Sequence, residues 1–334
     1  VSEQIEQLVI VADDLTGALD MAAPFCAPDS SVVVATRPEA FADALARNAD
    51  VTAVSTRTRD VDPDAASRCV ASIIGQIPPG SRILKKVDSR LKGQIAAELS
   101  ALPSGRLLVL PAIPEFGRIV QAEELRGFGV PTPIQVRDRL GPRGAQAQIP
   151  DTVSQAEMRA AFNAADDCAV LVGARGLAQA MADTAGIMQS RPDPLTGRIG
   201  VAVGSTDPIT VEQVAELTDA THLLAPSGET DLPATLNRVT LMQAVIGPDS
   251  DPRRIAQALA RSFVPLAGQV GSLILTGGAT AETVLDALNV EILTVEGEIV
   301  PGLPLSAAKG WRIVTKSGGF GVPSALNDLT RDVE

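Results

Sequence analysis

The chain repeats one local pattern: a short, continuously apolar run rich in Val, Ile and Leu, then a turn, then an Ala-rich amphipathic segment. LVIVAD, SVVVAT, VTAVST, RILKKV and RLLVLP carry it through the amino-terminal part, with PEAFADALARN and PDAASRCVASIIGQI between them. Apolar strands that lack polar alternation must be covered on both faces, and the intervening helices supply the covering layers. The pattern therefore specifies a doubly wound α/β fold around a parallel sheet. RPDPLTG, from Arg191 to Gly197, has the turn residues of a linker. Beyond it the pattern resumes with IGVAVG, PITVEQVAELT, a β-rich piece from Arg238 to Ile246, DPRRIAQALARSF, GSLILTGG, AETVLDAL, VEILTV and WRIVTKSGGFG. Residues 1–190 and 191–334 are expected to form two α/β domains, each with a largely parallel sheet flanked by helices, and the active site is expected in the cleft between them. The Pro-, Gly- and Gln-rich stretch from Pro131 to about Asp151 reads as irregular, and EIVPGLPLS as a loop.

Composition excludes several classes of function. A net charge of -12, 2% aromatics and no Tyr leave neither a basic field nor a stacking surface for nucleic acid. With a single histidine, His222, neither a histidine-based metal site nor a Ser-His-Asp triad has its material. Cys26, Cys69 and Cys168 lack metal-ligand spacing and read as buried reduced thiols. The opening VSEQIEQLVIV has no signal-peptide pattern and no apolar run approaches the ~20 residues of a membrane span, so a cytoplasmic location is expected.

Ligands of open parallel sheets bind beyond the carboxyl ends of the strands. Asp13 and Asp14 lie there, directly after LVIVA. One carboxylate suffices to cap the following helix, so the pair is read as shared between capping and chemistry. Arg57 and Arg59 follow VTAVST, and Asp88, Ser89, Arg90 and Lys92 follow RILKKV. Lys85 and Lys86 lie inside that strand, where alternation sends them to opposite faces and burial demands a partner or a function. The second half has Gly204-Ser205, Gly277-Gly278 and Lys316-Ser317-Gly318-Gly319 at strand ends, turns that let backbone N–H groups approach phosphate oxygens. The adjacent aspartates are not the Asp-x-Asp of haloacid-type phosphatases, and neither a P-loop nor G-x-G-x-x-G is present.

Taken in order, VIVADDLTGALD, STRTRD, KKVDSRLKG, PAIPEFGRIV, GARGLAQAM, VGSTDPITVEQ, TGGATAETVL, EIVPGLPL and TKSGGFG resemble the four-carbon acid sugar kinases, which phosphorylate threonate, erythronate or 3-oxo-tetronate at the terminal hydroxyl with ATP. The resemblance implies an acid-sugar domain followed by a nucleotide domain, with Mg2+ accompanying ATP and no dedicated metal ligands in the protein. It places the acid sugar near Asp13, Asp14, Arg59, Lys86, Asp88 and Lys92, with Arg118 of PEFGRIV a further substrate-side candidate; Arg57 and Ser89, from the same strand-end clusters, are read as substrate-binding beside them. It places ATP near Ser205, Gly277, Gly278, Ala279, Thr280, Lys316, Gly318 and Gly319. On this reading Asp14, or failing that Asp13, deprotonates the hydroxyl; the partner is a small molecule, neither nucleic acid nor membrane, and a homodimer is left open. The chain departs from the family pattern at Arg90, Lys92 and Gln94, where many members read KKxDSTLRGN, and at Ala279, where an acidic residue is usual. A non-catalytic sensor on the same scaffold is the alternative these departures suggest; an α/β oxidoreductase using TGGAT is a more distant one.

Overall fold

The computed structural model describes residues 7–165, 170–247 and 251–331. Cys168 lies outside these residues; Cys26 is a buried thiol outside any disulfide and Cys69 a half-buried one. The chain divides into two compact units, Val1–Gln189 and Ser190–Glu334.

In the first unit the apolar runs form strands β1 (Leu8–Ala12), β2 (Val32–Ala35), β3 (Val51–Ser55), β4 (Arg82–Lys86) and β5 (Leu107–Leu110). Next come β6 (Arg118–Gln121), β7 (Glu124–Gly127), β8 (Val130–Gln135), β9 (Ala147–Gln148) and β10 (Val170–Gly173). The main sheet has the order β2-β3-β1-β4-β10-β5-β9, with every neighbouring pair parallel. The connecting helices are α1 (Leu15–Ala22), α2 (Phe41–Leu45), α3 (Pro63–Ile74), α4 (Ile95–Ser100), α5 (Val136–Arg139), α6 (Gln155–Asn163) and α7 (Arg175–Thr184). The chain leaves β1 toward β3 and β2 on one side and returns to β4 on the other, which makes a topological switch point at β1. The register pairs Ala12 with both Ser55 and Lys86, and Lys86 with Gly173. The segments after β1, β3, β4 and β10 therefore leave the sheet along one edge.

The stretch expected to be irregular is partly ordered: it supplies most of β8, which joins β6 and β7 in a separate antiparallel sheet, and α5 and β9 follow. β8 reads VPTPIQ, and its two prolines argue against a strand. They are tolerated because β8 is an edge, paired only with β7.

The second unit contains β11 (Ile199–Val203), β12 (Thr221–Pro226), β13 (Val239–Val245), β14 (Ser272–Thr276), β15 (Ile292–Val300), β16 (Leu303–Ala308) and β17 (Trp311–Lys316). Its helices are α8 (Pro208–Glu216), α9 (Pro252–Ala267), α10 (Gly278–Ala287) and α11 (Ala325–Thr330). The strand order is β12-β13-β11-β14-β17-β16-β15, parallel as far as β17 and antiparallel beyond it. EIVPGLPLS is not a loop but the closed end of the β15–β16 hairpin, with Pro301 and Gly302 between the strands; register shifts flank the paired Gly297 and Glu298. Among the described residues no helix is long and apolar enough to cross a membrane.

Strand alternation separates the two lysines of β4. Lys85 is fully buried and lies 2.9 Å from the buried Glu98 of α4. It also donates to the Lys86 carbonyl at 2.8 Å, while Glu98 accepts from the Thr58 hydroxyl. The pair joins β4, α4 and the segment after β3 on the sheet face opposite Lys86. Removing one partner strands a buried charge: Glu98→Ala is expected to cost about 3–5 kcal/mol of unfolding free energy. Combined Lys85→Met and Glu98→Leu should recover much of that loss, as urea denaturation would read.

Candidate active site

Asp14 ends the β1 turn in extended conformation and caps α1, its Oδ1 accepting from the Gly17 N–H at 2.9 Å. Its other oxygen accepts from the Thr16 hydroxyl at 2.7 Å and from Arg59 Nη1 at 2.9 Å. Asp13 is fully occupied by the same arginine: Arg59 Nε donates to Oδ2 at 2.8 Å and Nη2 to Oδ1 at 3.0 Å, a forked pair. Arg59 Nη2 also lies 3.5 Å from Asp88. One guanidinium thus ties the loops after β1, β3 and β4.

The electrostatics follow from this clamp. Burial alone would raise the Asp13 carboxyl, but Arg59, then Lys86 and Lys85, hold it below the ordinary carboxylate range. Asp88 is held down in the same way, burial being outweighed by Arg59 and Lys86. Burial likewise opposes charge on Arg59, and Asp14 and Asp13 reverse that effect, so it stays cationic. Asp88 Oδ1 accepts from the backbone N–H groups of Arg90 and Lys92, which shapes the turn. Gly93 closes it with φ +88; a Cβ there would lie 3.3 Å from Asp13 Oδ2.

Lys86 leaves β4 on the α1 face and is only 4% exposed. A Cβ at Gly17 would lie 2.5 Å from Asp14 Oδ1 and 2.7 Å from Lys86 Nζ, so glycine at 17 leaves the room in which the carboxylate and the ammonium converge. Among the described residues that ammonium makes no hydrogen bond; it acts on Asp13 and Asp88 through space.

The other first-unit candidates divide. Arg118 is buried and donates to Ser89 Oγ at 2.7 Å and to the Phe128 carbonyl at 3.1 and 2.9 Å, which links β6 to the turn after β4. Lys92 is exposed on that turn, and Gln94 precedes α4 without a side-chain cap bond. Arg57 is not brought to the Asp13 cluster: its Nε donates to the Thr36 carbonyl after β2 at 3.0 Å. Two charged residues escaped the sequence reading. Glu98 looks like an ordinary helix charge, and only the fold shows that it meets Lys85. Arg175 carries a readable signal, because GARG follows β10 at the same sheet edge; it is buried 3.8 Å from Asp20 and 3.5 Å from Glu115.

In the second unit the register pairs Val203 with Thr276 and Thr276 with Lys316, so the three glycine turns leave one edge together. They are packed backbone against side chain. A Cβ at Gly204 would overlap Thr280 Oγ1, one at Gly318 would overlap Ser205 Oγ, and one at Gly277 would lie 3.5 Å from Ser205. Helices α8 and α9 begin with aspartate caps, Asp207 and Asp251, whereas α10 begins on Gly277 with no side-chain cap bond. The first N–H groups of α10, in Gly278, Ala279 and Thr280, are thereby left for another acceptor. Lys316 turns inward: its fully buried ammonium donates to Thr210 Oγ1 at 3.0 Å and to the carbonyls of Ser317, Gly318 and Phe320 at 3.0, 3.3 and 3.1 Å. Gln213 Nε2 adds bonds to the Phe320 and Val322 carbonyls at 3.1 and 2.9 Å. His222 stands apart, on edge strand β12, 2.8 Å from Gln243.

Comparison with known proteins finds a separate family model in each part of the chain. Residues 8–135 match the model of a sugar-binding N-terminal domain, and residues 227–326 that of a nucleotide-binding C-terminal domain. The class is thus a two-domain α/β protein with a sugar-binding unit followed by a nucleotide-binding one. The D-threonate kinase of Cupriavidus necator H16 is 29% identical, with 95% of this chain and 96% of the relative covered. That of Bordetella bronchiseptica RB50 is also 29% identical, with 95% of each covered. A Salmonella typhimurium LT2 crystal structure described as a tRNA synthase superposes with a TM-score of 0.72 over 98% of this chain and 99% of its own; at 17% identity the likeness concerns fold alone. The chain belongs to the four-carbon acid sugar kinase family.

Burial pushes the Lys316 ammonium down to about 8 from an ordinary 10.5, against the pull of Asp207. The unfolded chain therefore holds this proton more tightly, and the group's contribution to stability rises as pH climbs from about 8 toward 10.5. Relative to Lys316→Met, the wild-type protein should gain about 2 kcal/mol between pH 7 and pH 9.5 in urea titrations.

Proposed function

We propose that the protein is an ATP-dependent kinase that transfers the γ-phosphoryl group to the terminal hydroxyl of a four-carbon acid sugar of the threonate, erythronate or 3-oxo-tetronate type, in the cytoplasm. The single observation that carries this reading is Lys86: a buried ammonium without a hydrogen bond among the described residues, beside the Asp14 carboxylate, in the domain matched to sugar binding. A buried cation of this kind is costly unless a ligand completes its shell.

Phosphoryl transfer needs an oriented hydroxyl, a proton acceptor and compensation for charge on the phosphoryl oxygens. Asp14 is the proposed acceptor. Both oxygens of each aspartate accept hydrogen bonds; what favours Asp14 is that its Oδ1 converges with the Lys86 ammonium over Gly17, whereas Asp13 is held in the fork of Arg59. Arg59 is then a positioning group, held by three carboxylates, and Lys86 is the cation available to the substrate hydroxyl or the transferring phosphoryl group. The uncapped start of α10 and the Ser205 and Gly318 turns are the proposed phosphate seat, where N–H groups and the helix dipole favour anionic oxygens. Lys316 serves this seat by holding the carbonyls of its own turn inward rather than by touching phosphate. Among the described residues there is no group of three or more His, Cys, Asp or Glu side chains able to hold a metal ion. Magnesium fits here as a partner of the nucleotide's phosphates, neutralising their charge when bound, and is assigned no protein ligand.

An ADP-release assay over D- and L-threonate, D- and L-erythronate and their 3-oxo forms is expected to show turnover with at least one of them. Asp14→Asn should then lower kcat by about 10²–10⁴-fold in protein that still folds, with a lowered urea midpoint because the cap to Gly17 can be kept but the ion pair with Arg59 is lost. Turnover of none, or near wild-type rates for both Asp14→Asn and Asp13→Asn, would refute the reading. Gly17→Ala should depress kcat as well, because its methyl takes the space between Asp14 Oδ1 and Lys86 Nζ.

A further inference from the structure

Charge is unevenly distributed within the sugar-binding unit. Around Asp14, three carboxylates (Asp13, Asp14 and Asp88) face two cations, Arg59 and Lys86. A substrate carboxylate brought there would have to compete with the transferring phosphoryl group for Lys86, since Arg59 is already taken by the aspartates. One residue beyond Ser89 the balance inverts. Arg118, only 4% exposed, spends three of its five N–H donors on neutral oxygens, the Ser89 hydroxyl and the Phe128 carbonyl, and has no carboxylate at ion-pair distance among the described residues.

Arg90 approaches the same place. A Cβ built on Gly129, which has φ +72, would lie 3.3 Å from Arg118 Nη2 and 3.8 Å from Arg90 Cδ, so the two side chains meet over the glycine at the β7–β8 turn. Among the described residues the Arg90 guanidinium has no hydrogen-bond or ion-pair partner. Burial and then the neighbouring Arg90 work against charge on Arg118, and the only acidic influence on it comes at longer range from Asp88 and Asp20. Two arginine side chains that converge with no carboxylate at ion-pair distance of Arg118 among the described residues favour an anion between them, and the planar fork of arginine matches a carboxylate.

Building on the kinase reading, we propose that Arg90 and Arg118 receive the carboxylate of the acid sugar, so that the substrate lies with its acid end at the β7–β8 turn and its terminal hydroxyl toward Asp14. Arg90 is then a specificity-determining residue, and the chain selects acids over neutral polyols of the same length.

The test compares the full chain with its Arg90→Gln and Arg90→Lys variants on D-threonate and on D-threitol, in which a hydroxymethyl group replaces the carboxylate. Arg90→Gln should raise the KM for D-threonate by about ten- to a hundredfold and shrink the preference for threonate over threitol by the same factor, with Arg90→Lys recovering part of both. Arg118→Lys should act in the same direction if its urea midpoint shows that it folds; Arg90, being on the turn surface, supplies the decisive variant. Calorimetric binding of D-threonate without ATP separates the two levels of the argument. Equal binding by wild type and Arg90→Gln would overturn the carboxylate assignment and leave the kinase reading standing. Binding by wild type that Arg90→Gln abolishes, with no turnover, would support the receptor and overturn the kinase. Neither binding nor turnover of any acid in the series above would overturn both.

Discussion

The clamp of Arg59 on Asp13, Asp14 and Asp88 is the interaction on which the sugar-binding unit depends. Asp13 and Asp14 share the turn after β1 and Asp88 stands in the loop after β4, and the three would repel one another if the guanidinium were absent. Arginine suits this position because its fixed fork can engage several carboxylate oxygens at once and stays charged when buried. The same clamp orders the surroundings: it sets Asp14 as the α1 cap, leaves Asp88 to shape the Arg90–Lys92 turn, and brings Gly93 against Asp13.

The two units solve the problem of charge at a strand end differently. In the first, Lys85 and Lys86 diverge from adjacent positions, one toward a buried glutamate that completes its ion pair and the other toward the α1 face without a hydrogen bond among the described residues. The first has the chemistry of a structural strut and the second that of a site. In the nucleotide-binding unit the lysine at the end of β17 is the strut. Lys316 gathers three backbone carbonyls and a threonine hydroxyl under its turn, and Phe320 packs so closely on Gly302 that a side chain there would overlap its ring.

Much of this was legible beforehand, for identifiable reasons. Fully apolar strands such as LVIVA leave little choice except a parallel sheet covered on both faces, and the polar residues that follow them fall at its carboxyl edge whatever the strand order. The prolines of VPTPIQ misled because a sequence does not say which strand will be an edge. EIVPGLPL misled because glycine and proline mark a hairpin turn as readily as a loop, and only the β15–β16 register distinguishes them. Arg57 and Arg59, two residues apart, look equivalent in the sequence; with φ +54 at Arg57 the backbone turns between them, and Arg57 Nε reaches the Thr36 carbonyl while Arg59 forks onto Asp13.

The sequence by itself therefore determined the α/β class, the family and the edge on which the polar groups lie, because hydrophobic periodicity and ordered motifs are local properties of the chain. It also limited capping to a task that one of the two aspartates could fill. Only the tertiary structure decided that the cap is Asp14, that Asp13 is held by a guanidinium 46 positions away, and that Arg90 meets Arg118 over Gly129. Those outcomes depend on which side chains of distant segments reach the same few ångströms, and strand order and register set that distance.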